Sequence, residues 1–369
     1  MNLKSMKQKV LIRAAGLQPP KKNTYRSGVP RSNIELIKAL IALNDPDLDF
    51  AIYCPTFSSP LYHCQDWPIE HYWYGLPGKK YHIKLEPWWR EHFMGKHDLV
   101  HLTENADYFG KKEKFVVTIH DTDIMNRGNF ERNLFLNCAQ NSEGIITCSE
   151  YSKMDIIDKL KVPENKVTTA YWGISKEMFF PQSNQKILDL KKKIGIQGDY
   201  FFVCSCAQER KNADVILESF ALFAEEDFST SLVVALSNPR TEFLEKYKGL
   251  LQEGRLIFLP YVSDEELSIL YSGALASVLV SSLEGFGFPI LESMACGTNC
   301  ICCKNTSMTE IGGNLAHFVK LRDVEDLASA FNFFVKNGKG NIQKMLDYSG
   351  RFTWENTAKK YIEFYKRYI

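Results

Sequence analysis

Short apolar segments alternate along this chain with longer segments of helical periodicity. Residues 9–16 (KVLIRAAG) have the composition of a buried strand, and residues 32–43 (SNIELIKALIAL) repeat their apolar side chains at helical spacing. Ser32 is predicted to cap that helix, with Glu35 completing a capping box. Strands separated by helices favour a parallel sheet wrapped by helices, which is an α/β fold.

The same alternation restarts after a loop near residues 180–184, where proline and polar residues interrupt the pattern. The chain has 369 residues, which exceeds the usual size of a single hydrophobic core. We therefore expect two Rossmann-like domains that face each other across a cleft. The predicted domains are 1–181 and 182–348, followed by an amphipathic helix at 349–369 that has to pack on another part of the chain.

The composition argues against several classes of protein. The formal net charge is +1, from 45 Lys and Arg against 44 Asp and Glu, and nucleic-acid binding proteins usually carry a clear basic excess. No apolar run approaches the ~20 residues of a membrane-spanning helix. The ten cysteines have no accompanying histidine pair of zinc-site spacing, and no signal peptide is expected, because the start MNLKSMKQKVLI lacks an apolar h-region with a cleavage site. Reduced thiols in a cytoplasmic protein are expected.

The segment SSLEGFGFPILESMACGT places two glutamates, Glu284 and Glu292, around a glycine-rich turn. The turn follows a predicted strand, and ligands of doubly wound sheets bind beyond the carboxyl ends of the strands. Gly285 and Gly287 allow backbone amides to approach a ligand, and Pro289 suits the first helical position, which puts Glu292 in the first helical turn. A helix N-terminus favours an anion and carboxylates accept hydrogen bonds from hydroxyls, so a sugar nucleotide is the predicted ligand. The structural alternative is a carboxylate that only stabilises the helix dipole.

This segment resembles the E-x7-E motif of the retaining GT-B glycosyltransferases of family 4. Further segments resemble that family in the same order along the chain, and the resemblance is weakest at about residues 55–95. The matching segments are RSGVPRSNIELIKAL, VVTIHD, IITCSEYSK, TTAYWGISKEMFFP, ERKN and FLPYVSDEELSILYSGA. The resemblance implies a GT-B fold whose last helix, which contains Trp354, crosses back to the N-terminal domain.

The resemblance also implies roles for individual residues. Glu284 corresponds to the glutamate that contacts the donor sugar, and Glu292 to the one that binds the nucleotide ribose. Lys211, beside Arg210, corresponds to the lysine that neutralises the diphosphate. His120 matches the active-site histidine, so His120, Glu284 and Lys211 are the implied catalytic residues. The other implied donor-binding residues are Gly28, Gly285, Phe286, Gly287, Phe288, Tyr261 and Val262.

The sequence departs from the family pattern at several positions. Residues 204–208 (CSCAQ) lack the Gly-Arg pair that supplies a second basic phosphate ligand, and Arg210 is expected to serve instead. Pro260 replaces a glycine and Trp172 replaces an asparagine. The missing Gly-Arg pair supports one alternative, a non-catalytic GT-B subunit. A GT-B epimerase is another, because it shares the architecture.

The implied activity is hexosyl transfer with retention at the anomeric carbon. The segments VVTIHD and VSDEEL are most similar to bacterial mannosyltransferases, so GDP-mannose is the expected donor and a UDP-hexose the alternative. The expected acceptor is a glycan or a lipid-linked glycan of surface polysaccharide synthesis. Neither a cofactor nor a metal ion is expected, because DTD at 121–123 belongs to the turn that contains His120.

Aromatic and basic residues are concentrated in the segment 71–93, HYWYGLPGKKYHIKLEPWWREHF. Tryptophan and lysine side chains suit an anionic membrane face, so we expect peripheral contact with the inner face of the membrane. The alternative is an ordinary mixture of core and surface residues. Ser149, which precedes the helical segment SKMDIIDKLKV, is expected to cap a helix rather than to take part in catalysis.

Overall fold

The computed structural model describes residues 7–13, 28–55, 67–74, 87–105, 109–110, 113–204 and 206–369. The chain divides into two compact units. The described residues up to Gly173, together with Thr353–Ile369, form the first unit, and Ile174–Phe352 form the second unit. The domain ends predicted from the sequence lie at residues 181 and 348, whereas this division falls after Gly173 and Phe352.

The described part of the first unit contains a seven-stranded parallel sheet in the order β3-β2-β1-β4-β5-β6-β7. Its central strands are fully buried, as parallel strands usually are, and their side chains are apolar apart from His101, Thr118 and Thr147. The alternation predicted from the sequence is confirmed here. The strands are β1 (Gln8–Arg13), β2 (Leu48–Pro55), β3 (Glu70–Tyr74), β4 (Leu99–Leu102), β5 (Phe115–Thr118), β6 (Gly144–Thr147) and β7 (Val167–Thr169).

The first helix begins earlier than its sequence indicates. Ser32 lies inside the helix and not at its start, so the predicted capping box is wrong; its hydroxyl instead donates to the carbonyl of Val29 at 2.8 Å. A proline is tolerated in the first turn of a helix, so Pro30 does not delay the start. Ser149 does cap its helix, accepting from the Ser152 amide at 3.1 Å. The helices are α1 (Gly28–Leu43), α2 (87–93), α3 (Asn129–Asn141) and α4 (Glu150–Leu160).

The second unit is built around a six-stranded parallel sheet in the order β10-β9-β8-β11-β12-β13. The predicted second series of strands and helices is therefore present. These strands are β8 (Tyr200–Val203), β9 (Ser231–Ala235), β10 (Leu256–Leu259), β11 (Ala276–Leu279), β12 (Asn299–Cys303) and β13 (His317–Val319).

The helices of the second unit connect these strands. Helix α9 begins with a complete capping box, in which the Ser263 hydroxyl accepts from the Glu266 amide and the Glu266 side chain accepts from the Ser263 amide. The helices are α5 (Asn184–Ile194), α6 (Ala213–Phe223), α7 (Thr241–Lys246), α8 (Lys248–Gln252), α9 (Asp264–Gly273), α10 (Phe288–Ala295), α11 (Thr306–Gly312), α12 (Val324–Asn337) and α13 (Ile342–Ser349).

The last helix, α14 (Trp354–Tyr365), belongs to the first unit, where it packs on α1. The Tyr365 hydroxyl lies 2.8 Å from Nδ1 of the fully buried His101, whose Nε2 lies 2.7 Å from the Thr118 hydroxyl. The Tyr361 hydroxyl lies 3.3 Å from the same threonine oxygen. A buried polar network thus fixes the C-terminal helix on β4 and β5, as the predicted return of that helix to the N-terminal domain requires.

Candidate functional site

The strand order of the second sheet reverses direction between β8 and β11. From β8 the chain proceeds to β9 and β10 on one side, and from β11 to β12 and β13 on the other. The loops that leave these two strands diverge at such a point and open a crevice, which is where doubly wound sheets bind ligands. The amide of Ser282 donates to the carbonyl of Arg210 at 2.8 Å, which holds the two loops together.

Three charged side chains meet in these loops. The Lys211 ammonium donates to Oε1 of Glu284, and Nη1 of Arg210 lies 3.5 Å from Oε2 of the same carboxylate. The guanidinium of Arg210 also donates to the carbonyl of Leu283. Only 13% of the Lys211 side chain and 9% of the Glu284 side chain are exposed, so the pair is largely withdrawn from water. We call Arg210, Lys211 and Glu284 the charged cluster.

The charged cluster keeps Glu284 ionised. Burial alone raises the pKa of this carboxyl, but the positive charges of Lys211 and Arg210 outweigh burial and lower the pKa below its ordinary value. At neutral pH the site therefore offers two cations and one carboxylate. Such a set of groups can bind an anion and a hydroxyl group side by side.

The second glutamate of the motif has a different environment. Glu292 is buried, and the hydroxyl of Tyr271, in α9, donates to its Oε2 at 2.9 Å. The prediction that Glu292 lies in the first turn of its helix is wrong. Helix α10 begins at Phe288, one residue before the predicted start at Pro289, so Glu292 is its fifth residue. Tyr271 was not identified from the sequence, because its spacing matches that of an ordinary apolar helix face.

The turn between the two glutamates depends on a glycine. Gly287 has φ = 96° and immediately precedes α10; a Cβ there would also lie 3.3 Å from the Ile290 side chain. Gly285 is buried, as is Phe286, whose ring packs edge to face on Phe288 at 5.2 Å between centroids. The buried aromatic side chain of Phe286 therefore supports the turn. That the backbone of Gly285–Phe288 lines a ligand site stays a prediction.

Tyr261 and Val262 lie apart from the charged cluster along the sheet edge. They follow β10, which β9 separates from β8. Tyr261 is 46% exposed, whereas Val262 is buried. Their predicted part in donor binding stays a prediction, and it concerns a region of the sheet edge apart from the charged cluster.

His120 lies in the first unit, just beyond the carboxyl end of β5. Its Nε2 donates to the carbonyl of Thr103 at 3.0 Å, and its Nδ1 is buried with no hydrogen-bond partner among the described residues. Burial lowers the pKa of His120 to about 4, although the hydrogen bond to Thr103 acts in the opposite direction. The imidazole is therefore neutral at neutral pH, with an unprotonated Nδ1. The Asn105 side chain and the Ser152 hydroxyl hold its backbone, at 2.7 and 3.1 Å.

Gly28 is the exposed first residue of α1. The two residues before it in the matching segment, at positions 26 and 27, lie outside the described residues.

The aromatic and basic segment 71–93 lies partly outside the described residues. Within α2, Arg90 is fully buried and forms two hydrogen bonds with Glu113, at 2.8 and 2.6 Å, so it is not available to a membrane. Trp88 is 50% exposed. Trp89 packs on the core of the first unit, with its ring 4.5 Å from that of Phe93.

Among the described residues, no helix has the length and apolar character to span a membrane. The same residues contain no group of three or more histidine, cysteine or acidic side chains placed to hold a metal ion. The cysteines at 138, 148, 204, 206, 296, 300, 302 and 303 do not form disulfides.

Comparison with known proteins relates each half of the chain to glycosyltransferases. Residues 26–177 match the family model for Glycosyltransferase Family 4, and residues 187–352 match that for Glycosyl transferases group 1. The chain is 26% identical over 279 residues to O-antigen chain mannosyltransferase B of Escherichia coli, covering 69% of this chain and 70% of that protein. It is 24% identical over 285 residues to the serotype-specific mannosyltransferase WbdA of E. coli, covering 74% of this chain but only 33% of that protein.

Solved structures share the fold. A glycosyltransferase from Rickettsia africae superposes with a TM-score of 0.77 at 17% identity, covering 98% of this chain and 99% of that one. Anabaena HepE in complex with UDP and glucose superposes with a TM-score of 0.73 at 15% identity, covering 98% of this chain and 100% of that one. Two Rossmann-like units of this kind form the GT-B fold. The chain belongs to the family 4, group 1 glycosyltransferases and is a glycosyltransferase.

Proposed function

We propose that this glycosyltransferase moves a hexose from a nucleotide diphosphate sugar to a glycan or lipid-linked acceptor, with retention at the anomeric carbon. The charged cluster at the strand-order reversal of the second sheet is the observation that carries the proposal. Lys211 and Arg210 supply positive charge for a diphosphate, and Glu284 supplies a carboxylate for sugar hydroxyls. In this proposal Glu292, held by Tyr271, binds the hydroxyls of the nucleotide ribose.

The donor we favour is GDP-mannose. The support comes from the E. coli relatives, two of which are named as mannosyltransferases of O-antigen synthesis or serotype specificity. A UDP-linked hexose is the second candidate, because HepE, which shares the fold, was solved with UDP and glucose. The two donors differ in base and sugar but share the diphosphate, so the charged cluster serves either.

The chemistry of transfer follows from where charge develops. The bond between the anomeric carbon and the diphosphate oxygen breaks, and its electron pair leaves with the nucleotide diphosphate. Lys211 and Arg210 stabilise that charge. The acceptor hydroxyl attacks the same face of the carbon and passes its proton to the departing phosphate oxygen. Glu284 is engaged by Lys211 and Arg210, which suits the binding of hydroxyls better than nucleophilic attack.

In this scheme the first unit supplies the acceptor site and His120. Because His120 is neutral, its unprotonated Nδ1 suits acceptance of a hydrogen bond from a hydroxyl group of the donor sugar. We also propose peripheral contact with an anionic membrane through the exposed ring of Trp88.

One observation favours a non-catalytic role: residues 204–208 lack the basic residue that the family places there. Turnover separates the two functions. Purified protein is incubated with GDP-mannose or UDP-glucose and a panel of mannose-terminated oligosaccharides, and nucleotide diphosphate release is measured. The proposal predicts release that depends on the acceptor, and an α-linked product by proton NMR. Binding of a nucleotide sugar without release would support the non-catalytic role. Isomerised free sugar in place of a transfer product would indicate an epimerase.

A further inference from the structure

Two residues with left-handed backbone contact each other beside the charged cluster. Asn212 has φ = 52° and Arg322 has φ = 59°, a region that is unfavourable for residues with a Cβ, although asparagine tolerates it. Nη1 of Arg322 donates to Oδ1 of Asn212 at 3.1 Å. Strained backbone of this kind persists where surrounding contacts hold it, and it concentrates at functional sites.

Asn212 is almost completely buried and uses both ends of its side chain amide. Its Nδ2 donates to the carbonyl of Val280 at 2.7 Å and to the hydroxyl of Ser282 at 3.1 Å. A carbonyl can only accept, so this contact fixes the orientation of the amide and leaves Oδ1 facing the guanidinium of Arg322. Asn212 thereby ties the loop after β8 to the loop after β11.

Arg322 adds a third loop to this connection. It follows β13, at the far edge of the sheet from β10. Besides Asn212, its guanidinium contacts Oδ2 of Asp214, in the first turn of α6, at 3.0 Å. Because its side chain is 56% exposed, Arg322 contributes little to the hydrophobic core.

The positions of these residues in the sequence connect them with the charged cluster. Asn212 directly follows Lys211, and Ser282 precedes Glu284 by two residues. We propose that Arg322, acting through Asn212, is a positioning residue that sets the separation of Lys211 and Glu284 for the donor diphosphate and sugar. This inference rests on the proposed function of the same site. The sequence alone did not single out Arg322, because nothing in the segment LRDVEDLA shows that its side chain turns back toward Asn212.

Arg322→Gly tests the inference, because it separates positioning from folding. Glycine adopts φ near 60° without strain, so the loop is retained or stabilised while both guanidinium hydrogen bonds are lost. Lys161→Gly is the matched control: Lys161 also has a left-handed backbone, with φ = 53°, but it ends α4 in the first unit. Arg322→Lys keeps the charge without the two-pronged contact.

The measurements are the melting temperature and the Kd for GDP-mannose and for UDP-glucose. For Arg322→Gly we expect a melting temperature close to that of the wild type, because relief of the left-handed backbone offsets the two lost hydrogen bonds, and a Kd raised about 10-fold for the donor that binds. Arg322→Lys should give an intermediate Kd. Lys161→Gly should leave Kd unchanged.

Several outcomes overturn the inference. An unchanged Kd in Arg322→Gly, with the wild type binding a donor, would overturn this inference alone. A weaker affinity that merely accompanies a lower melting temperature in both Arg322 variants would show a structural role, and would also overturn it. Wild-type protein that binds neither nucleotide sugar would overturn the proposed function together with the inference.

Discussion

The side chains of Lys211 and Glu284, 73 residues apart in the sequence, form an ion pair at the carboxyl edge of the second sheet. In the proposed function these two groups bind different parts of the donor. The lysine that would meet the diphosphate is therefore already neutralised by the glutamate that would meet the sugar. An incoming diphosphate must therefore either bind Lys211 alongside Glu284 or replace Glu284 as its partner.

This relationship predicts opposite effects on binding and turnover for Glu284→Gln. Without the carboxylate, Lys211 and Arg210 are no longer neutralised, so GDP should bind as tightly as to the wild type or more tightly. Sugar transfer should fall by about 100-fold, because a charge-assisted hydrogen bond to the donor is lost. Calorimetric titration with GDP and initial rates with GDP-mannose measure the two effects.

Lys186→Ala provides the control for this experiment. Lys186 and Glu265 form an exposed ion pair in the second unit with an N–O distance of 3.3 Å, and exposed pairs contribute little. Its loss should change neither GDP affinity nor transfer. If Glu284→Gln bound GDP much more weakly than the wild type, the competition between the carboxylate and the diphosphate would be contradicted.

The docking of the C-terminal helix leads to a prediction about stability. In Tyr365→Phe the buried Nδ1 of His101 loses the phenol hydroxyl 2.8 Å away, which should cost about 1–3 kcal/mol of the free energy of unfolding. Tyr361→Phe should cost less, because the oxygen of Thr118 keeps its contact with His101. All six tryptophans lie in the first unit, so urea unfolding followed by tryptophan fluorescence reports on this unit. Equal losses of unfolding free energy in the two variants would argue against the hydrogen-bond network around His101.

Two buried histidines predict that the first unit loses stability in mild acid. Burial lowers the pKa of His120 to about 4 and that of His101 to about 3, from 6.5. Below pH 6.5 the unfolded chain therefore binds protons that the folded chain does not, so stability falls as the pH decreases. For His120 the free energy of unfolding continues to fall until the pH reaches about 4, which is the pKa of His120 in the folded protein. The fall is at most about 1.4 kcal/mol per pH unit.

Urea midpoints from tryptophan fluorescence at pH 7.5, 6.0 and 5.0 measure this dependence. The midpoint should fall steadily below pH 6.5, and His120→Asn, which removes one titrating group, should show a shallower fall. Equal wild-type midpoints at pH 7.5 and 5.0 would show that the histidines are not buried as described.

The sequence was sufficient to predict the two α/β units, because buried parallel strands are short apolar runs that alternate with amphipathic helices. It was less reliable at helix ends. Ser32 has the composition of a cap, but the residues before it also accept helical geometry, so α1 begins at Gly28. A similar shift of one residue moved Glu292 out of the first turn of α10.

The charged cluster was predicted as separate residues on two motifs, and only the sheet order brings them together. Tyr271, Asn212 and Arg322 act through contacts between loops that are distant in sequence, and such contacts leave no local pattern. Arg90 shows the reverse case. It lies in the segment 71–93, for which membrane contact was expected, whereas its partner, Glu113, lies 23 residues away in the sequence and is buried with it.

Transfer is expected to proceed without a divalent ion, because Lys211 and Arg210 supply the positive charge for the leaving diphosphate. Initial rates after dialysis against EDTA should match those of untreated protein. Loss of activity that magnesium or manganese restores would contradict this expectation.

Membrane contact is expected to depend on Trp88 and not on Trp89. Trp88→Ala should reduce co-sedimentation with vesicles that contain anionic phospholipid, because it removes an exposed indole ring. Trp89→Ala is the comparison, since that ring packs on the core of the first unit and its loss should lower stability instead. Equal vesicle binding by the wild type and Trp88→Ala would exclude this contact.

Donor binding at the charged cluster is tested most directly by calorimetric titration of GDP-mannose and UDP-glucose into the wild type and Lys211→Ala. We predict that the wild type binds at least one of them at a single site. Lys211→Ala should bind that donor about 10–100-fold more weakly, as loss of a charge-assisted hydrogen bond requires. Binding of neither donor by the wild type, or equal affinity in the variant, would contradict the account.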